Sequence, residues 1–139
     1  MSLMPVDEAL TKLLSGVKPL ETEYVPLESA NGRYLSAPLV STRTQPPFAA
    51  SAMDGYAIRH EDLSASRTSL TVVGEAPAGH GFSGTVGNGE TVRIFTGAPV
   101  PAGTDTILIQ ENAEREGERI TVLENPAKGA FVRPAGLDF

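Results

Sequence analysis

The chain has no cysteine, no tryptophan and only two histidines. Without cysteine there is no disulfide, thiolate metal site, iron–sulfur ligation or cysteine nucleophile, and a reducing compartment suits such a chain. His60 and His80 stand alone, never at the i, i+3 or i+4 spacing that sets two imidazoles on one helical face. Long apolar runs are missing too. Nothing reaches the roughly 18 consecutive apolar residues that a membrane-crossing helix needs, and the opening MSLMPVDEAL lacks the basic start of a secretory signal. Basic residues are outnumbered, 11 Lys and Arg against 17 Asp and Glu, and the net charge of -6 repels a phosphate backbone. These absences lead to the expectation of a cytoplasmic protein with neither nucleic acid nor a membrane as partner.

What is present is an ordinary globular composition. The 139 residues are 40% hydrophobic and 20% charged, enough for one domain or two small lobes with a core of their own. Fourteen glycines and eleven prolines favour short strands and many turns over long helices. Only one segment has helical periodicity: Val6, Ala9, Leu10, Leu13, Leu14 and Val17 form a single apolar stripe. Pro5 suits its first turn, Asp7 and Glu8 complement its positive end, Glu8 can pair with Lys12, and Gly16 stops it, so a core-packing helix is expected. A second helical turn is expected at Leu27–Asn31, ended by Gly32. From about Thr42 short β-like runs alternate with turn clusters. The pattern predicts strands near 55–59, 69–74, 90–95, 105–110, 119–123 and 131–133. The fold class read from this is α+β, mostly β: a small helical and linker lobe of residues 1–45 and 131–139, and a β-rich lobe of short strands over 46–130.

Several motifs invite chemistry and fail on context. Gly79-His80-Gly81-Phe82-Ser83-Gly84 matches G-x-G-x-x-G, but Pro77 precedes it and no helix can start in the glycine run, so it reads as a solvated loop. There is no P-loop lysine and no G-x-S-x-G nucleophile elbow. His60-Glu61-Asp62 reads as a polar turn after a strand. Two stretches are more unusual. From Thr44 to Met53 no side chain is charged, and then Asp54 arrives immediately before Gly55; alone, that pair also reads as a turn. Thr96-Gly97-Ala98-Pro99-Val100-Pro101-Ala102-Gly103 sets a hydroxyl and backbone N–H groups at a strand end, which suits an anion such as phosphate, or else forms a rigid β-turn.

The run Ser51-Ala52-Met53-Asp54-Gly55-Tyr56-Ala57, followed about forty residues on by Arg93-Ile94-Phe95-Thr96-Gly97-Ala98-Pro99-Val100-Pro101, resembles the N-terminal region of the MoeA family, the molybdopterin molybdenumtransferases. Pro26-Leu27-Glu28-Ser29-Ala30-Asn31-Gly32-Arg33-Tyr34-Leu35-Ser36-Ala37 is similar to the segment that precedes that run, and Val132-Arg133 with Gly136-Leu137-Asp138 to the R-x-x-G-x-D segment that follows. The first run is the specific signal; the last segment adds least. Leu137 stands where the family commonly has an acid, and Phe48-Ala49-Ala50 replaces a usual polar pair before the serine.

The resemblance implies an enzyme that inserts molybdenum from molybdate into adenylylated molybdopterin with release of AMP, assisted by a divalent ion such as Mg²⁺. It implies a homodimer, and a molybdopterin-binding α/β domain and a β-barrel domain beyond this chain, so that the chain alone is expected to be inactive. Carried over by residue, it implies catalytic positions at Asp54, Thr96 and Asp138, cofactor-binding positions at Ser51, Gly97 and Arg133, and Mg²⁺ on Asp54. Other classes stay open: a dimerisation and scaffold module with Asp54 as a turn residue, a receptor-anchoring scaffold like the C-terminal region of gephyrin, or an unrelated β-rich carbohydrate or peptide binder.

Overall fold

A computed structural model describes residues 3–64 and 67–139 and divides the chain into two compact units, residues 1–40 and 41–139. In the first, helix α1 spans Val6–Leu14 and a single 3₁₀ turn spans Leu27–Ser29. The helix has the ends its sequence asks for. Pro5 precedes it in extended conformation, and Lys12 donates to Glu8 Oε1 at 2.9 Å one turn back. Its apolar stripe, however, does not enter a core. Val6 is 81% exposed and Leu13 74% exposed, and no described residue of 1–40 is buried. The expected core-packing helix is corrected here: a segment this short cannot enclose an interior by itself.

The second unit carries eight strands: β1 (Ala50–Ser51), β2 (Gly55–Ile58), β3 (Ser69–Ala76), β4 (Glu90–Ile94), β5 (Thr106–Ile109), β6 (Ala113–Glu116), β7 (Arg119–Val122) and β8 (Val132–Arg133). Six form one sheet in the order β5-β2-β4-β3-β7-β6, antiparallel except for the β3–β4 pair, and β1 with β8 forms a separate two-stranded ribbon. All six anticipated strands are present. Two were not anticipated. β1 has only two residues, too few to show alternation, and β6 reads Ala-Glu-Arg-Glu, the charged composition of an exposed edge strand. The tail 131–139, grouped from sequence with the helical lobe, belongs instead with the β-rich unit. β8 pairs with β1, and the amide of Asp138 donates to the Gln45 carbonyl at 2.9 Å.

The large sheet is buried on both faces. Ala57, Ala76, Val86, Val92, Ile94, Ala98 and Ile107 pack together on one side, Tyr56, Ile58, Leu70, Leu108, Ile120 and Val122 on the other. Strand periodicity explains the division, since Ala57 lies between Tyr56 and Ile58 and must point away from both. Each fully buried Leu, Ile or Val contributes roughly 1.5–3 kcal/mol. The polar groups drawn in are paired: the Thr91 hydroxyl donates to the Ala57 carbonyl at 2.8 Å, and Thr106 Oγ1 accepts the Gly129 N–H at 3.0 Å. No buried side-chain N or O lacks a partner among the described residues.

The G-x-G-x-x-G run sits in the connection between β3 and β4, as a loop. Phe82 anchors it by packing on Gly74 and Gly84, where an added Cβ would lie 2.5 Å and 2.7 Å from the ring, and the β3 register shift between Val72 and Gly74 falls beside that contact. His60–Asp62 is a 3₁₀ turn as expected. Asp62 Oδ2 accepts the Gly89 N–H at 3.0 Å, and no metal-sized group of three His, Cys, Asp or Glu side chains occurs among the described residues.

Leu70→Ala is therefore expected to lower the unfolding free energy of this chain by about 2–5 kcal/mol, and Leu13→Ala by no more than about 0.5 kcal/mol, read from urea titrations. Equal losses would contradict the assignment of the core to residues 41–139.

Candidate functional site

The segment between β1 and β2 is held at every residue. Ser51 receives the Gly97 N–H on its carbonyl at 2.9 Å and donates its own N–H to Ala98 at 3.0 Å; Ala52 N–H goes to the Phe131 carbonyl at 2.8 Å; the Asp54 carbonyl accepts the Gln110 N–H at 3.1 Å. The Ser51 hydroxyl donates to the Met53 carbonyl at 2.6 Å, closing the turn from within. Asp54 is thus delivered to the N-terminal end of β2 on a fixed backbone.

Its carboxylate is fixed as well. Asp54 Oδ1 accepts two hydrogen bonds from one residue, the Thr96 N–H at 2.8 Å and the Thr96 hydroxyl at 2.7 Å, while Oδ2 accepts none from the described residues. The Thr96 hydroxyl is the largest influence holding the Asp54 carboxyl below its ordinary range. The Thr96 N–H adds to it, and burial, which opposes it, is outweighed, with the nearby positive charge of Arg93 contributing least. The result is an ionised carboxylate with one oxygen spoken for and one available.

The Thr96–Gly103 stretch forms a rigid turn. Four of its backbone donors are engaged: Thr96 N–H with Asp54, Gly97 N–H with Ser51, Ala98 N–H with the Phe95 carbonyl at 3.0 Å, and Val100 N–H with the Ala49 carbonyl at 2.9 Å. Gly97 has φ +82°, and Gly103, at φ +88°, would bring a Cβ to 2.4 Å from the Val86 carbonyl oxygen. Both glycines serve the turn. Gly97 therefore supports the site from behind, and Ser51, only 1% exposed, does the same.

The other two sequence candidates form a pair of their own. Arg133 Nη2 donates to Asp138 Oδ1 at 2.7 Å and to Oδ2 at 2.8 Å, both side chains partly exposed. Arg133 lies on β8 directly opposite Ala50 of β1, so the ribbon β1–β8 joins this pair to the strand that leads into Asp54. Thus Asp54, Thr96, Ser51 and Gly97 form one directly bonded cluster, with Arg133 and Asp138 linked to it through the backbone.

Two neighbours had no assigned role in the sequence reading. Arg93 donates to the Gly55 carbonyl at 3.2 Å and to Gln110 Oε1 at 2.6 Å, with its guanidinium 5.2 Å from the Tyr56 ring centroid and 4.9 Å from that of Phe95. The available signal was the period-2 spacing of Arg93 and Phe95, but the strand facing them is separated by more than thirty residues and its register is not written locally.

Thr96→Val is expected to raise the Asp54 pKa toward the ordinary 3.8, because the strongest of the stabilising bonds is removed while the backbone donor stays. Carbon-detected NMR titration of the side-chain carboxyl reads this; an unchanged or lower value would contradict it. Since the folded-state pKa is depressed, the associated stability is present above the unfolded carboxyl's pKa and is lost as pH falls through the folded value. The stability gap between the two proteins is expected to narrow over that acidic window.

The comparisons with known proteins extend over the whole of this framework. Residues 4–139 match the MoeA N-terminal region (domain I and II). A molybdopterin molybdenumtransferase of Nostoc sp. is 46% identical over 117 residues, 81% of this chain and 27% of the relative. One from Haemophilus influenzae is 38% identical over 138 residues, 98% of this chain and 34% of the relative. The crystal structure of the molybdopterin biosynthesis MoeA protein from Pyrococcus horikoshii OT3 is similar with a TM-score of 0.79 and 38% identity, covering 99% of this chain and 37% of that one. This chain thus spans about a third of the length of these relatives. It belongs to the MoeA family, as the family's N-terminal region.

Proposed function

We propose that this chain is the part of a molybdopterin molybdenumtransferase that presents the Asp54 carboxylate to a phosphate-bearing pterin substrate, in a longer protein that inserts molybdenum from molybdate into adenylylated molybdopterin and releases AMP. The observation that carries the proposal is the asymmetry of Asp54: Oδ1 is held twice by Thr96 and Oδ2 is left available at a partly exposed position. The names of the relatives supply the reaction; the geometry supplies a group suited to it.

The donor set fits Mg²⁺ only as a shared ion. Mg²⁺ is commonly held by one or two carboxylates together with substrate phosphates and water, and Asp54 offers one such oxygen with no further carboxylate cluster among the described residues. Such an ion would neutralise phosphate charge as it develops. The chain's own contribution is to keep Asp54 ionised and aimed, through Thr96. Arg133 remains the candidate for an anion contact, on the condition that Asp138 releases one of its two hydrogen bonds.

The same reading takes the cytoplasm as compartment, in keeping with the absence of cysteine, and a homodimer as assembly, with the pterin-binding domain of the partner subunit completing the site around Asp54 and Thr96. A scaffold role has one observation of its own, the exposed apolar stripe of α1, and it predicts an Asp54 that matters for folding alone.

In the longer transferase, Asp54→Asn is expected to reduce molybdenum insertion by tenfold or more on the order-of-magnitude scale of lost charge stabilisation, with a nearly unchanged melting temperature. Activity lost only in proportion to stability would make Asp54 a structural turn residue. Mixing that variant with a chain disabled in its pterin domain is expected to restore activity in the mixed dimer; confirmed heterodimers that stay inactive would remove the shared-site arrangement.

A further inference from the structure

We propose that Arg93 is the positioning residue for Asp54, acting through a closed ring of contacts across three strands, without touching the carboxylate. The inference deepens the proposed transferase role and rests on it for its functional meaning.

Strand register brings the parts together. Tyr56 of β2 lies opposite Arg93 of β4 on one side and opposite Leu108 of β5 on the other, so these three share a face, and Asp54, Phe95 and Gln110 lie just beyond the strands at the same end. On that face the guanidinium lies over the rings of Tyr56 and Phe95 and donates at its edge to the Gly55 carbonyl and to Gln110 Oε1. The Gln110 N–H returns to the Asp54 carbonyl. Asp54, Gly55, Arg93 and Gln110 thereby close a ring in which both carbonyls flanking the start of β2 are held.

The main chain at that point has little freedom to compensate. A Cβ on Gly55 would stand 2.1 Å from the Leu108 carbonyl oxygen, so β5 already presses against it. Arg93 braces the following peptide directly, at the Gly55 carbonyl, and reaches the Asp54–Gly55 peptide through Gln110, whose N–H holds the Asp54 carbonyl. Phe95 adds a second link: stacked on the guanidinium, it is the residue immediately before Thr96, whose two donors grip Oδ1. One side chain therefore sets both the acceptor and its donors.

Only arginine meets these demands together. Its planar fork can lie over a ring while its edge N–H groups donate in the plane; an ammonium keeps the charge and loses that geometry. Arg93→Lys is accordingly the informative variant, and the Thr96 amide proton, deshielded by the carboxylate 2.8 Å away, is the probe. In NMR spectra of this chain, Arg93→Lys is expected to move that proton upfield, toward its position in Asp54→Asn, while the amides of Leu70 and Ile120 in the opposite half of the sheet stay in place. Gln110→Ala, an exposed change that opens the ring and keeps the guanidinium, is expected to move it in the same direction by less. In the longer transferase, Arg93→Lys is expected to lower kcat about tenfold or more with KM within about twofold. A Thr96 amide unmoved in Arg93→Lys overturns the proposal, and if that variant does not fold, an unmoved proton in Gln110→Ala does so. An active Asp54→Asn enzyme together with a moved Thr96 amide would end the transferase role of Asp54 and leave Arg93 as its positioning residue; an inactive Asp54→Asn with an unmoved amide would do the reverse.

Discussion

The close approach of β2 to β5 at Gly55 governs the placement of Asp54. Gly55 faces Ile109 on one side and Ile94 on the other, both edges of the strand are hydrogen-bonded, and the Leu108 carbonyl occupies the space a side chain would need. Asp54 is the residue immediately before this constriction. Its backbone inherits the rigidity of a strand buried on both faces, while its side chain remains partly exposed. A reactive group on a loop ordinarily trades precision for access. Here the loop is so short, and so fully bonded to Phe131, Gln110 and the Thr96 turn, that Asp54 has both.

The same economy recurs around the sheet. Asp105 Oδ1 accepts the His60 N–H at 2.8 Å and the Thr106 hydroxyl at 2.9 Å, and Lys128 approaches its other oxygen at 3.7 Å, so one carboxylate ties together three separate segments. Burial alone would raise the pKa of Asp105, yet these bonds and charges leave it lowered, the expected result where a carboxylate is satisfied as an anion. Asp105 spends both oxygens on structure. Asp54 spends one, and that difference separates a clasp from a candidate reactive group.

The two units stand in different physical circumstances. Residues 41–139 contain every buried side chain among those described, whereas α1 and the turn at Leu27–Ser29 contain none. An amphipathic helix of nine residues gains little from propensity alone, and in proteins such helices draw their stability from what covers the apolar face. Relatives in which this region is about a third of the chain have ample further surface to offer.

Local sequence determined a good deal: the helix ends at Pro5 and Gly16, six of the eight strands, and the failure of the G-x-G-x-x-G run to be a dinucleotide site. Each depends on neighbours within a few residues, where periodicity and backbone preference act. Family resemblance named Asp54 and Thr96 as site positions, but their pairing came from the tertiary structure, since forty-two residues separate them and no local pattern encodes a carboxylate's partner. Tertiary structure alone decided the rest. It engaged the Thr96, Gly97, Ala98 and Val100 amides within the fold, moved residues 131–139 to the β-rich unit, and brought Arg93, Gln110 and Asp54 together at one end of the sheet. Those outcomes follow from sheet register, and register is set by the joint burial of side chains from distant strands, a condition that no single stretch of sequence can express.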